Sequence, residues 1–289
     1  MAKTDLDAKL QALRKNIRGM GSVLVAFSGG VDSTFLAKVA QEELGDKAVA
    51  VTARSETYPE HEFRDAVELA GQIGIRHALI ETEELDLPAF RSNPPDRCYH
   101  CKRELFGRLG NMAEEFGCRF VLDGSNADDT ADFRPGMRAT RELGVRSPLR
   151  EAGLTKEDIR AASREMGLPT WDKPSYACLS SRFPYGEPIT PEGVAQVGKA
   201  EAFLRDIGLR QLRVRHHGDT ARIEVPPDDV ATLAEPAMRE RIVRRLKELG
   251  FAYVTLDLEG YRSGSMNETL NKATRSAQSS KDAEPPEGE

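Results

Sequence analysis

The segment that most constrains this chain is VLVAFSGGVDSTFLAKVA, which runs from Val23 to Ala40. Its apolar run at residues 23–27 predicts a buried strand, and the spacing of apolar residues over 32–44 predicts a helix. Between them, a turn with two glycines directs several backbone N–H groups to one place at the N-terminus of the helix. The segment therefore predicts an anion-binding turn at the carboxyl end of a strand.

Strand and helix patterns alternate through the first part of the chain. Strands are predicted at residues 48–52, 77–80 and 120–123, and helices at residues 60–73 and 102–116. This alternation is typical of an α/β fold, in which a parallel sheet is covered by helices on both faces. Because ligands bind at the carboxyl ends of such strands, the glycine-rich turn and the polar loop after the fourth strand are expected to share one pocket.

The pattern changes near residue 188, within a proline-rich stretch. Beyond it, helices are predicted over 191–207 and 239–249, two strands in LRVRHHGDTARIEV around its Gly-Asp turn, and a last strand over 253–258. We expect an α/β domain over residues 1–187 and a smaller α+β domain over residues 188–265. The polar, proline-containing residues 266–289 are expected to be disordered.

Composition limits the classes of function. The chain of 289 residues has a formal net charge of −6, whereas nucleic-acid-binding surfaces usually carry a basic excess. We therefore expect a small-molecule substrate and no nucleic acid. No apolar stretch approaches the ~20 residues of a membrane span, and the charged N-terminal segment does not resemble a signal peptide. A cytoplasmic location is expected, where cysteines stay reduced.

Five residues of the glycine-rich turn are suited to phosphate. Gly29 and Gly30 allow close approach of the backbone, and the hydroxyls of Ser28 and Ser33 add hydrogen bonds. Asp32 is an unexpected neighbour for a phosphate unless a cation lies between them, so it predicts Mg²⁺. The turn lacks the Gly-Lys-Ser/Thr ending of the common P-loop. A capped strand–helix junction without a ligand is the alternative.

The stretch SGGVDS resembles the pyrophosphate loop of the ATP pyrophosphatase (PP-loop) superfamily. The resemblance implies that ATP is cleaved to AMP and pyrophosphate, and that AMP activates an oxygen of the substrate. After the fourth predicted strand, the loop that begins with Asp123 and Gly124 supplies carboxylates for metal or ribose. We assign these two residues to the ATP site, and a plain polar loop is the alternative.

The four cysteines divide into one pair and two single residues. Cys98 and Cys101 are separated by two residues just before a predicted helix, a spacing that suits two ligands of one metal or cluster. A redox dithiol is the alternative, and a four-cysteine zinc site is excluded because the chain has no second pair. Cys118, which leads into a predicted strand, is expected to be a small buried residue.

Cys178 lies in the proline-rich loop, followed closely by two serines and an arginine. A nearby guanidinium lowers the pKa of a thiol, and Ser181 and Arg182 are suited to an anionic substrate. An inert thiol is the alternative. Arg213 and Arg215 alternate along a predicted strand and so share one face, where two guanidiniums suit the phosphate of a substrate. A solvated basic face is the alternative for this pair.

Four longer stretches carry a resemblance to a single family. The chain resembles the LarE family of ATP-dependent sulfur transferases in ACLSSRFPYGEPIT, DGSNADDTADFRPGMRA, LRVRHHGDTARIEV and YVTLDLEGYRSGSMN. The resemblance implies that ATP adenylates a ring carboxylate of pyridinium-3,5-biscarboxylic acid mononucleotide. Sulfur then replaces the adenylate, which leaves a thiocarboxylate on the way to the nickel-pincer nucleotide cofactor. The resemblance also implies a homo-oligomer.

The LarE family has two sulfur sources. In one type a lone loop cysteine, matched here by Cys178, gives up its own sulfur and is left as dehydroalanine. In the other type three cysteines hold a [4Fe–4S] cluster whose fourth iron carries a transferable sulfide. Because Cys98 and Cys101 are also present, the resemblance favours the cluster type with Cys98, Cys101 and Cys178 as ligands. The implied cofactors are ATP, Mg²⁺ and a [4Fe–4S] cluster.

Three other functions stay open. A tRNA thiolase of the same superfamily also combines this loop with three cysteines, although the acidic charge argues against it. An amide-forming ligase would leave the cysteines without a role. A nucleotide- or metal-sensing module would bind ATP without releasing pyrophosphate.

Overall fold

The computed structural model describes residues 2–131, 135–174, 176–262 and 264–270. The chain forms two compact units. The first comprises the residues up to Glu84 together with Cys98–Tyr176, and the second comprises Leu85–Arg97 and the residues from Ala177 onward. Local sequence patterns did not indicate that Leu85–Arg97 lies in the second unit. The domain boundary at residue 188 stays a prediction.

Within the described residues, the sheet of the first unit has four parallel strands, which are β1 (Val23–Ala26), β2 (Ala48–Arg54), β3 (Arg76–Glu81) and β4 (Phe120–Leu122). Their order is β3-β2-β1-β4, so β4 joins β1 on the side opposite β2. The predicted parallel α/β architecture is confirmed. Since the carboxyl ends of parallel strands meet at one edge, the loops after β1 and β4 are neighbours.

Helices cover both faces of this sheet. The helices up to residue 165 are α1 (Ala2–Met20), α2 (Val31–Leu44), α3 (Glu60–Ile73), α4 (Pro88–Arg91, in the second unit), α5 (Arg97–Glu115), α6 (Gly136–Glu142), α7 (Pro148–Glu151) and α8 (Lys156–Glu165). Val23 and Val25 pack in one apolar cluster with Phe35 of α2, whereas Leu24 packs in another with Phe106 of α5. Burial of both faces explains why β1 and β2 are continuous apolar runs. None of the helices in the described ranges is long and apolar enough to cross a membrane.

The second unit is smaller and mixes helices with a different sheet. Its further elements are α9 (Pro191–Asp206), β5 (Arg213–His217), β6 (Thr220–Glu224), α10 (Pro227–Ala234), α11 (Pro236–Glu248) and β7 (Tyr253–Leu256). In the described part of this unit, β5 and β6 are antiparallel and β7 pairs with β6 in parallel. Gly218, with a φ of +56°, lies in the tight turn between β5 and β6 that the Gly-Asp pair predicts.

Two features differ from the sequence-based expectation. α5 begins at Arg97, so Cys98 and Cys101 lie inside its first turns rather than before the helix. The reason is that the sequence after the Pro-Pro pair contains no helix breaker. A 3-10 turn at Ser265–Thr269 lies where the disordered tail was expected to begin. The expectation for residues 271–289 lies outside the described residues.

Candidate active site

The glycine-rich turn between β1 and α2 has the geometry of an anion-binding loop. Gly29 has a φ of +62°, and a Cβ built on it would lie 3.0 Å from the Cα and Cβ of Ala66 in α3. A side chain is therefore excluded both by backbone conformation and by contact. Gly30 is the N-cap of α2 and supplies no side-chain acceptor. The first N–H groups of the helix are thus available to an anion.

Hydroxyl groups hold this turn in shape. The Ser33 Oγ donates to the Gly30 carbonyl at 3.2 Å and accepts from the Ser28 N–H at 3.3 Å, and the two serine hydroxyls lie 3.0 Å apart. The Tyr58 hydroxyl donates to the Ser28 carbonyl at 2.6 Å. Burial, with a smaller effect of nearby carboxylates, raises the pKa of Tyr58, so the phenol stays a donor. The protein's own hydrogen bonds therefore fix the loop.

The loop after β4 lies beside the turn. A Cβ on Gly124 would lie 3.1 Å from the Ser33 backbone nitrogen. The buried Asp123 carboxylate accepts from the Ser125 N–H at 3.2 Å, from its hydroxyl at 2.7 Å and from the Ser147 hydroxyl at 2.6 Å. These bonds shape the loop. The structure brings the residues assigned to the ATP site together, and their contact with ATP stays a prediction.

Two lysines from later in the chain reach the same turn. The Lys156 ammonium pairs with the Asp32 carboxylate. The Lys173 ammonium lies 2.8 Å from Glu62 and 3.1 Å from Asp65, and it donates to a carbonyl of the turn at 3.5 Å. Burial disfavours the charged ammonium, but the Glu62 carboxylate outweighs burial and raises the pKa of Lys173. Sequence reasoning missed both lysines, because only the position of Lys156 at a helix start is visible locally.

Cys98 and Cys101 lie one helical turn apart at the start of α5, on the same side of the helix by their spacing. Cys98 is exposed, Cys101 is half-buried, and neither is in a disulfide. α6 packs closely here, since a Cβ on Gly136 would lie 3.3 Å from the Cys98 carbonyl oxygen. Among the described residues, no group of three or more His, Cys, Asp and Glu side chains is placed to hold a metal ion. The first unit thus offers two thiols as a pair.

Cys178 lies in the second unit, where it precedes a 3-10 turn at Leu179–Arg182. Its thiol is half-buried and lies 2.8 Å from the Ser180 hydroxyl. The Arg182 guanidinium donates to the Ala177 carbonyl at 2.8 Å and to the Cys178 carbonyl at 3.0 Å. The thiol therefore belongs to a turn whose backbone is held by a guanidinium.

Arg182 and its partner Glu201 in α9 are fully buried. The guanidinium donates to both carboxylate oxygens, at 2.8 and 2.9 Å. Burial disfavours the ionised carboxyl, but the charge and hydrogen bonds of Arg182 hold the pKa of Glu201 below its usual range. Glu201 also accepts from the Val214 N–H in β5 at 3.0 Å. Arg182 thus connects the cysteine turn to the core, and its contact with substrate stays a prediction.

Arg213 and Arg215 share one face of β5, as their alternation predicts, but both are buried. The Arg215 guanidinium donates to both oxygens of Glu224, at 2.9 and 2.7 Å, and to the Ser181 carbonyl at 2.8 Å. The Arg213 guanidinium lies 5.1 Å from the centre of the Tyr261 ring, and burial lowers its pKa. The pair is therefore not a solvated basic face, and its contact with a substrate phosphate stays a prediction.

Comparisons with known proteins relate this chain to a family. The sequence model of the NAD synthase family matches residues 6–98. A pyridinium-3,5-bisthiocarboxylic acid mononucleotide synthase of Lactiplantibacillus plantarum is 42% identical over 269 residues, which cover 93% of this chain and 97% of the relative. The chain belongs to the family of this synthase. The resemblance to LarE-type enzymes is thereby confirmed.

Two further relatives extend the comparison. An uncharacterized protein of Synechocystis sp. is 47% identical over 267 residues, covering 92% of this chain and 100% of the relative. A glutamine-hydrolyzing GMP synthase polypeptide of Archaeoglobus fulgidus is 26% identical over 218 residues, covering 68% of each chain. As a member of the pyridinium-3,5-bisthiocarboxylic acid mononucleotide synthase family with a PP-loop, the chain is an ATP-using enzyme.

Gly29→Ala is expected to weaken ATP binding by at least about tenfold and to destabilise the protein by about 1–3 kcal/mol. The added methyl meets Ala66 at 3.0 Å and is strained at a φ of +62°, so the turn must move. Gly74→Ala is the matched control, because Gly74 has a φ of +74° with open space around it. Calorimetric titration with ATP, beside urea unfolding, measures both effects. Equal ATP affinity in the two variants would contradict the prediction.

Proposed function

We propose that this enzyme transfers sulfur to the carboxylates of pyridinium-3,5-biscarboxylic acid mononucleotide in an ATP-dependent reaction. The observation that carries the proposal is the preformed anion-binding turn at Gly29 and Gly30, in a chain 42% identical to a synthase named for the bisthiocarboxylic acid product. Two rounds convert both carboxylates. The product then serves as the precursor that receives nickel in nickel-pincer nucleotide biosynthesis.

The first half-reaction activates the carboxylate. A substrate carboxylate oxygen attacks the α-phosphorus of ATP, and pyrophosphate leaves with the electron pair of the broken bond. The backbone N–H groups of the turn and the hydroxyls of Ser28 and Ser33 would bind the phosphates. Asp32, in the first turn of α2, is the residue that we assign to Mg²⁺, since a carboxylate is the ligand that this cation prefers. Bound Mg²⁺ would neutralise phosphate charge.

The second half-reaction delivers sulfur, and we assign Cys178 to it. As a sacrificial donor, its thiolate attacks the acyl carbon and AMP leaves. Loss of the proton on the cysteine Cα then breaks the Cβ–S bond, which leaves a thiocarboxylate on the product and dehydroalanine in the chain. The turn that holds the thiol is fixed by Arg182, which supports this assignment because nucleophiles act from defined positions.

The alternative sulfur source is a [4Fe–4S] cluster held by Cys98, Cys101 and Cys178. The donor set suits it, because thiolates are the usual ligands and two of the three lie one turn apart on the same side of α5. When bound, the cluster would supply a sulfide at its open iron without consuming the chain. The third ligand would come from the second unit.

We further propose that the enzyme is a cytoplasmic homo-oligomer that acts on a small molecule and not on nucleic acid. The net charge of −6 supports the second part, because it opposes binding to a polyanion. A gel-shift titration with tRNA at several salt concentrations tests it.

The deciding experiment uses protein purified without oxygen and analysed for iron and sulfide. It is incubated with ATP, Mg²⁺ and pyridinium-3,5-biscarboxylic acid mononucleotide. We expect AMP, pyrophosphate and a product in which one carboxylate oxygen is replaced by sulfur. Pyrophosphate release without a sulfur-containing product would refute the proposal. The intact mass after turnover separates the sources, since loss of H₂S marks Cys178 as the donor and an unchanged mass marks the cluster.

A further inference from the structure

Lys156 has a rigid base and a mobile end beside the anion-binding turn. It is the first residue of α8, whose N-cap Thr155 and Asp158 form a reciprocal capping box. The Lys156 N–H also donates to the Asp128 carboxylate at 2.8 Å. Its side chain remains 31% exposed. The backbone is therefore fixed, while the aliphatic stem is able to change direction.

The two lysines near the turn differ in how their charges are balanced. Lys173 is held between Glu62 and Asp65, so its charge is already matched by two carboxylates. Lys156 forms its ion pair, within the described residues, with Asp32 alone. Asp32 is also the carboxylate assigned to Mg²⁺. If a cation takes that carboxylate, Lys156 keeps a full charge next to the bound phosphates.

We propose that Lys156 is a phosphate-contacting residue of the ATP site. Its ammonium leaves Asp32 when the nucleotide binds and donates to the phosphate oxygens of ATP. As the carboxylate oxygen attacks the α-phosphorus, the bond to the bridging oxygen breaks and pyrophosphate carries the electron pair away. Lys156 stays protonated and neutralises the charge that develops on this leaving group. The inference rests on the ATP-using half of the proposed function.

The test is calorimetric titration of the full chain with inorganic pyrophosphate in the presence of Mg²⁺. Lys156→Met is expected to weaken binding by at least about tenfold, the loss typical of one charged hydrogen bond. Lys156→Arg keeps the charge and is expected to retain most of the affinity. Lys9→Met is the matched control, because Lys9 pairs with Asp158 at 2.9 Å in the same first turn of α8 but not with the anion turn.

Each outcome decides the role of Lys156. Loss of affinity in Lys156→Met, with Lys156→Arg and Lys9→Met close to wild type, supports it. Equal losses in Lys156→Met and Lys9→Met overturn it, because the effect is then one of net charge. Equal losses in Lys156→Met and Lys156→Arg overturn it as well, as does a wild-type chain that binds no pyrophosphate. Since the assay omits the pyridinium mononucleotide, a failure of sulfur transfer leaves this result unchanged.

Discussion

Cys178→Ser is expected to abolish sulfur transfer and to leave pyrophosphate release in place. Serine preserves the size of the side chain, but it carries no sulfur and is a weaker iron ligand than a thiolate. The anion-binding turn lies in the first unit and Cys178 in the second, so the substitution alters no residue assigned to ATP. Mass spectrometry of the product, beside a pyrophosphate assay, measures the two half-reactions separately.

Cys118→Ser is the matched control for this prediction. Cys118 is half-buried, packs against the apolar cluster that contains Phe106, and has a thiol pKa raised by burial. We expect it to keep sulfur transfer. A Cys178→Ser protein that still forms thiocarboxylate at the wild-type rate would contradict the role assigned to Cys178. Cys98→Ser and Cys101→Ser then distinguish the sources, because they abolish transfer only where the pair holds a cluster.

Local sequence is sufficient for most of the first unit. The predicted helix at residues 60–73 coincides with α3, and the four predicted strands fall on β1 to β4. Parallel pairing follows because each connection is long enough for a crossover helix. The second sheet is less predictable. β7 pairs with β6 across two intervening helices, and that choice depends on packing rather than on periodicity.

The candidate site divides in the same way. The turn at residues 28–33 is contiguous, so its chemistry can be deduced from a few letters. The pair between Lys156 and Asp32 spans 124 residues of sequence, and no repeat or spacing indicates it. The charge of Arg182 predicts an exposed side chain, whereas Glu201 from another helix allows its burial. Such partners depend on how elements pack, which local patterns do not specify.

Arg182→Met is expected to destabilise the second unit by about 3–5 kcal/mol, since Glu201 then remains fully buried without its partner. Arg205 stays 3.7 Å from Glu201, which places the expected cost toward the lower end of that range. Urea unfolding at neutral pH measures it. Arg245→Met is the control, because the exposed pair with Glu248 contributes at most about 1 kcal/mol. Equal destabilisation by both substitutions would contradict the prediction.

The pH dependence of this loss tests its cause. The pKa of Glu201 lies below its ordinary value of 4.5 in the wild-type fold, so its contribution is present above that pH and is lost as the pH falls through the folded pKa. In Arg182→Met, burial without the guanidinium raises this pKa, and the folded carboxyl takes up a proton. We therefore expect the stability difference to be largest at neutral pH and to narrow as the pH falls toward 4.5.

A double variant, Arg182→Met with Glu201→Met, separates stability from position. It leaves no charge of the pair buried, so stability is expected to return to within about 1 kcal/mol of wild type. The carbonyls of Ala177 and Cys178 still lack the guanidinium that holds them, so sulfur transfer is expected to stay low although the fold has recovered. Recovery of both would mean that Arg182 stabilises the unit without positioning Cys178.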